Sequence, residues 1–102
     1  MGLTTELASS VGIPVRRAGS LELITWFDAA AFLDECSKAG VRVLGVEGFR
    51  LPGGKTLPDM SAIADLSDVA DPAESVAEAR KLVAEIGAPD LLLEFTLSRE
   101  AA

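Results

Sequence analysis

The chain has 102 residues, 49% hydrophobic and 25% charged, with 9 basic and 16 acidic side chains. This composition predicts one globular domain spanning residues 1–102, and the absence of His excludes a Ser-His-Asp triad and a His-ligated zinc site within the chain. The net charge of −7 argues against direct nucleic-acid binding, which depends on clustered Lys and Arg. We therefore expect a binding protein and not an enzyme, with no cofactor and no metal.

The N-terminal quarter of the chain predicts a helix and a short strand. Apolar residues recur every fourth position within residues 1–12, which is typical of a short helix, and Gly12 and Pro14 are placed to end it. Val15–Ser20 is predicted to be a connection with basic residues. Leu21–Ile24 is predicted to be a strand bounded by turn residues.

A longer helix and a long strand are expected next. Thr25–Asp28 resembles a capping box with Asp in place of Glu, and Gly40 is suited to end the helix that follows. One apolar stripe on this helix has the spacing i, i+3, i+4, i+7 and comprises Ala29, Phe32, Leu33 and Cys36. Val41–Leu51 then predicts a strand with Val and Phe on one side.

The second half begins with a predicted turn at Pro52–Lys55. Thr56–Asp71 is the least regular stretch, and we expect a short strand at Lys55–Leu57 followed by an irregular segment. Three apolar residues of that segment are expected to pack on the core: Met60, Ile63 and Leu66.

A second long helix and a last strand complete the predicted elements. Asp71–Glu74 places Asp as N-cap, Pro at N1 and Glu at N3, and Gly87–Pro89 is suited to end the helix. Leu91–Leu97 alternates apolar and polar residues and predicts a strand.

Alternating strands and helices favour parallel pairing through right-handed crossovers. Two long helices cannot cover both faces of a wide parallel sheet. We therefore predict an α/β fold, with α+β as the alternative, in two layers. A small mixed sheet of three to four strands would carry the two main helices on one face, together with a short N-terminal helix.

Two glycine-containing motifs have a structural and a functional interpretation. Gly54–Thr56 resembles part of a phosphate-binding loop, but the glycine needed four residues earlier is replaced by Phe49, so a hairpin turn is favoured. Gly45–Gly48 predicts a β-bulge or a close backbone approach. The functional alternative is a bend that presents Glu47 and Phe49 to a partner.

The negative charge is concentrated between Thr56 and Ala79, where no basic residue occurs. The six acids of this stretch are Asp59, Asp65, Asp68, Asp71, Glu74 and Glu78. They can form a solvated face with helix caps, or a binding surface for a basic partner, which Glu47 would adjoin. Calcium binding is less favoured, because the spacing lacks the alternate-residue ligands of an EF-hand.

Other candidate residues are few. Trp26 and Phe27 are expected to be core or half-buried, with an interface role as the alternative. Cys36 is the only cysteine, so no internal disulfide forms, and a buried thiol is favoured over a reactive one. No signal peptide or membrane-spanning run is evident, and we expect a cytoplasmic protein.

Several short motifs resemble small immunity proteins of bacterial polymorphic-toxin and contact-dependent inhibition systems. They are Trp26, the Ala-rich helix after it, Gly40–Phe49, the Gly53–Gly54 turn and Pro58–Asp59. The resemblance implies an inhibitor that binds a cognate toxin and covers its active site or RNA-binding surface. Because many such toxins are basic nucleases, the acidic surface would imitate the charge of their substrate.

Three hypotheses follow from the sequence. The first is an immunity protein that neutralises a basic protein toxin through the acidic stretch. The second is a homo-oligomeric structural or adaptor domain, for example a homodimer, which the mean hydropathy of +0.33 favours. The third is a carboxylate-dependent hydrolase or small-ligand binder.

Overall fold

The computed structural model describes residues 2–50, 55, 57–87 and 90–99. Within them, an antiparallel sheet has the strand order β1-β2-β5-β3-β4. Its strands are β1 Arg16–Ala18, β2 Leu21–Thr25, β3 Arg42–Arg50, β4 Leu57–Asp65 and β5 Leu92–Ser98. The helices are α1 Leu3–Ser10, α2 Ala29–Lys38 and α3 Pro72–Ile86, and a 3₁₀ turn at Trp26–Asp28 precedes α2. No helix in these ranges is long and apolar enough to cross a membrane.

The sheet consists of two interleaved strand-helix-strand units. Helix α2 joins β2 to β3, but these two strands are not neighbours, because β5 lies between them and is antiparallel to both. Helix α3 likewise joins β4 to β5, and β3 lies between those strands. The strands joined by each helix therefore run in the same direction without pairing.

This arrangement corrects the predicted sheet. The expectation of a mixed sheet with parallel pairs is wrong, because each helical connection skips one strand and that place is filled by an antiparallel strand. The predicted three to four strands are also too few. Arg16–Ala18, expected to be a connection, pairs with β2, and the stretch expected to be irregular forms the nine-residue strand β4.

The core lies between the helices and the sheet, and Phe32 of α2 meets Phe95 of β5 with ring centroids 5.1 Å apart. The predicted stripe of α2 is fully buried: Ala29, Phe32, Leu33 and Cys36. Leu66 packs on this core as expected, whereas Ile63 is 42% exposed because it points to the opposite face of β4 from its buried neighbour Ala62. Met60 lies outside the described side chains.

The predicted helix ends are confirmed. The Thr25 hydroxyl accepts a hydrogen bond from the backbone N–H of Asp28 (3.3 Å), and the Asp71 carboxylate accepts one from that of Glu74 (2.9 Å). Gly40 and Gly87 have φ values of 68° and 53°, a region that disfavours side chains with a Cβ. The predicted turn at residues 52–54, the position of Thr56, and Ala88–Pro89 lie outside the described residues.

Helix α1 is capped from a distance. Its N-cap residue, Gly2, has no side chain, and the Glu22 carboxylate of β2 accepts hydrogen bonds from the backbone N–H (3.0 Å) and the hydroxyl of Thr5. Arg17 donates to the same hydroxyl at 3.0 Å. A Cβ at position 2 would occupy the place of the Glu22 carboxylate, so the missing side chain makes room for the cap.

Strand β3 contains the predicted irregularity. Its register shifts against β5 between Val43 and Gly45, and against β4 between Glu47 and Gly48. A Cβ on Gly48 would lie 2.7 Å from the Cβ of Ala62, which is the close approach that a strand glycine indicates. The alternative in which the bend presents Phe49 is wrong, because Phe49 is only 6% exposed.

A buried hydroxyl joins α3 to β3 at the first of these shifts. The Ser75 hydroxyl accepts a hydrogen bond from the backbone N–H of Val43 (2.9 Å) and donates one to the carbonyl of Pro72 (2.7 Å). Ser75 is fully buried, so water cannot replace either bond.

We predict that Ser75→Ala lowers the free energy of unfolding by about 1–3 kcal/mol, because the Val43 N–H is then buried without an acceptor. Urea denaturation measures this value. Ser37→Ala, at an exposed position of α2, is the matched control and should change stability by less than about 0.5 kcal/mol. Equal effects of the two substitutions would contradict the assigned role of Ser75.

Candidate functional site

Three of the predicted acidic site residues have structural contacts. Asp59 is ion-paired with Arg50 of the neighbouring strand at 3.2 Å. The Asp65 carboxylate accepts hydrogen bonds from the backbone N–H (2.9 Å) and hydroxyl (2.6 Å) of Ser67, and these bonds lower the pKa of Asp65. Asp71 caps α3, as described above. The contacts of Asp65 and Asp71 hold the local backbone, and the ion pair balances the charge of Asp59.

The remaining acids of the stretch, Asp68, Glu74 and Glu78, are exposed and make no ion pair with any described residue. Asp68 lies in the turn between β4 and α3, and Glu74 and Glu78 are one turn apart on α3. We name these three residues the acidic surface. Asp65 and Asp71 are exposed as well and keep their charge, so among the described residues only Asp59 of the six acids has its charge balanced by an ion pair.

A shallow groove adjoins the acidic surface between α3 and the end of β4. It has a volume of about 210 Å³. Its lining residues are Ala64, Leu66, Glu78, Lys81, Leu82 and Glu85. Lys81 interrupts the acids here, so the negative surface is strongest toward the N-terminal end of α3. Glu85 lies beyond the base-free stretch and was not among the predicted site residues.

Glu47, predicted to adjoin the acidic stretch, lies on a different part of the sheet. It is directly opposite Glu94 of β5, and both are half-buried. Burial raises the pKa of Glu94, and the nearby carboxylates of Glu47 and then Glu22 raise it further. The sequence alone does not reveal this pair, because the pairing depends on the strand register. Among the residues described, no group of three or more acids or Cys could hold a metal ion.

The second candidate surface is an apolar groove between α2 and α3. Phe27 is 71% exposed and packs edge-on against Trp26, with the ring centroids 5.4 Å apart. The Trp26 indole N–H donates to the carbonyl of Val83 at 2.9 Å, which holds the Trp26 ring on α3. Trp26 is half-buried as expected, but Phe27 is not, because the 3₁₀ turn directs it outward.

The groove beside Phe27 has a volume of about 350 Å³. It is lined by Trp26, Phe27, Ala30, Leu33, Arg80, Val83 and Ala84. We name it the Phe27 groove. At its rim Arg80 forms an ion pair with Asp34 of α2. Ala30 and Ala84 belong to no motif in the sequence, so the sequence alone does not predict this groove.

Cys36 has the predicted structural environment. It is fully buried in the core, and this burial, with a smaller effect of the neighbouring Glu35 carboxylate, raises the pKa of its thiol to about 12. The thiolate required for nucleophilic chemistry is therefore not formed near neutral pH.

No protein-family model matches the chain, and no curated protein sequence matches it.

The Glu94–Glu47 pair predicts a pH-dependent stability. The folded state holds a proton on Glu94 more tightly than the unfolded state does. The stabilisation from this proton is complete below the ordinary Glu pKa, and it is lost as the pH rises through the raised pKa of Glu94. Glu94→Gln should therefore stabilise the protein at pH 7 by about 0.2–1 kcal/mol, and this gain should disappear near pH 4. Urea denaturation at both pH values measures it. The control Glu78→Gln, at an exposed position, should give no comparable gain.

Proposed function

We propose that the chain is an immunity-type inhibitor, without enzymatic activity, that binds and neutralises a basic protein toxin such as a nuclease. The observation that supports this best is the acidic surface, three exposed carboxylates without an ion pair among the described residues. The proposal is consistent with the resemblance to immunity proteins noted in the sequence.

The position of the acidic surface suits recognition of a basic partner. Asp71 and Ser75 hold the first turn of α3, so Glu74 and Glu78 project from a fixed helix. A fixed cluster of like charges steers an oppositely charged protein and raises the association rate. No chemical step is required of these residues. Binding alone would block the active site of the toxin.

The test uses the product of the gene encoded beside this chain in its genome as the candidate toxin. Its expression should arrest growth, and co-expression of this chain should restore growth. With the purified pair, Asp68→Lys, Glu74→Lys and Glu78→Lys should each lower the association rate several-fold at low salt, with little effect at high salt.

Glu6→Lys is the control for the change of charge, which it makes at an exposed position on α1 where Glu6 is ion-paired with Arg99. It should leave the association rate within about twofold of the wild-type value. Equal effects of all four reversals would indicate only a dependence on net charge and would contradict the proposed surface. A neighbouring gene product that neither arrests growth nor binds the chain would contradict the inhibitor function.

A further inference from the structure

The Phe27 groove carries an exposed aromatic side chain directly beside an apolar hollow. We infer that this face is a two-fold symmetric interface with a second copy of this chain, in which Phe27 of each copy enters the Phe27 groove of the other. This inference is independent of the proposed function. That function depends on the acidic surface, which lies on the opposite side of α3 and at the N-terminal turn of that helix.

The shape of the face is self-complementary. A two-fold interface requires one patch to contain both a projection and the hollow that receives it. Phe27 is the projection, and Trp26 fixes its base through the indole hydrogen bond to Val83. The hollow is about 350 Å³, with the small exposed side chains of Ala30 and Ala84 on its two sides.

Charge also favours a second copy at this face. The chain carries a net charge of −7, so most faces of two copies would repel each other. Arg80, which lines the Phe27 groove, is paired with the oppositely charged Asp34 of α2. In a two-fold arrangement, Arg80 of one copy can also approach Asp34 of the second copy. A basic partner would instead meet Arg80 in the lining, beside an Asp34 that is already paired.

The composition of the face suits a weak dimer. Each copy offers one exposed aromatic ring beside the hollow, and a few such aromatic anchors carry most of the binding free energy of an interface. We therefore expect dissociation at about tens of micromolar, driven mainly by the two Phe27 side chains.

Sedimentation velocity of the full chain between about 5 and 300 µM tests the interface, since weak dimers dissociate across this range. The wild-type chain should shift from monomer to dimer. Phe27→Asp and Ala84→Glu should each weaken association at least ~100-fold, because each substitution occurs twice in the interface. Ile63→Asp, at another exposed apolar position, is the matched control and should dimerise normally.

A mixing experiment distinguishes the interface from an effect on folding. Arg80→Asp alone leaves two acidic residues at the rim of each copy, and Asp34→Arg alone leaves two basic ones. Two copies of either variant would therefore repel each other, and each variant should be monomeric. An equimolar mixture should form a heterodimer, because the two rims are then opposite in sign. Each reversal changes the net charge by two, so both variants stay negative overall. Attraction between oppositely charged proteins therefore does not explain the heterodimer.

Two results would overturn the inference. The first is a wild-type chain that stays monomeric at the highest concentration, which would leave the groove to a different protein. The second is dimerisation that Phe27→Asp and Ala84→Glu do not weaken. Far-UV circular dichroism and the urea midpoint confirm that each variant is folded. Neither result affects the growth test of the proposed inhibitor function, since none of these substitutions lies in the acidic surface.

Discussion

The insertion of β5 between β2 and β3 is the constraint on which the rest of the structure depends. Helix α2 joins two strands that run in the same direction and are separated by the width of one strand, and only the last strand fills that gap. Phe95 then reaches Phe32 on the helical side, and the adjacent residue Glu94 is set opposite Glu47. These contacts join distant parts of the sequence, and such non-local contacts slow folding.

Helix α3 is the element that relates the fold to both candidate surfaces. Its first turn is fixed by a cap and by the buried Ser75 hydroxyl, and its last turns accept the Trp26 indole through the carbonyl of Val83. One side of the helix faces α2 and the Phe27 groove, and the other faces β4 beside Glu78. A single rigid helix therefore separates an apolar, neutral surface from an acidic one. The two proposed partners, a basic protein and a second copy of this chain, would therefore not compete directly.

Local sequence signals predicted the helices well and the sheet poorly. The stripe of α2 and the caps at Thr25 and Asp71 depend on residues within one or two turns, so spacing alone reveals them. Strand pairing depends on distant residues, and β1 has only three residues, two of them Arg, with no hydrophobic alternation to indicate a strand. The same limit applies to the candidate site. The pairing of Asp59 with Arg50 could not be read from a segment that contains no base, because it requires the β3–β4 register.

The single buried thiol gives this protein a built-in reporter of its own motions. Cys36 lies in the centre of the stripe that α2 packs into the core, so a labelling reagent reaches it only when that packing opens. With a fast opening equilibrium, the labelling rate is proportional to the population of the open state, and its dependence on denaturant separates local detachment of α2 from global unfolding. No engineered cysteine and no removal of other thiols is needed, because the sequence contains only this one.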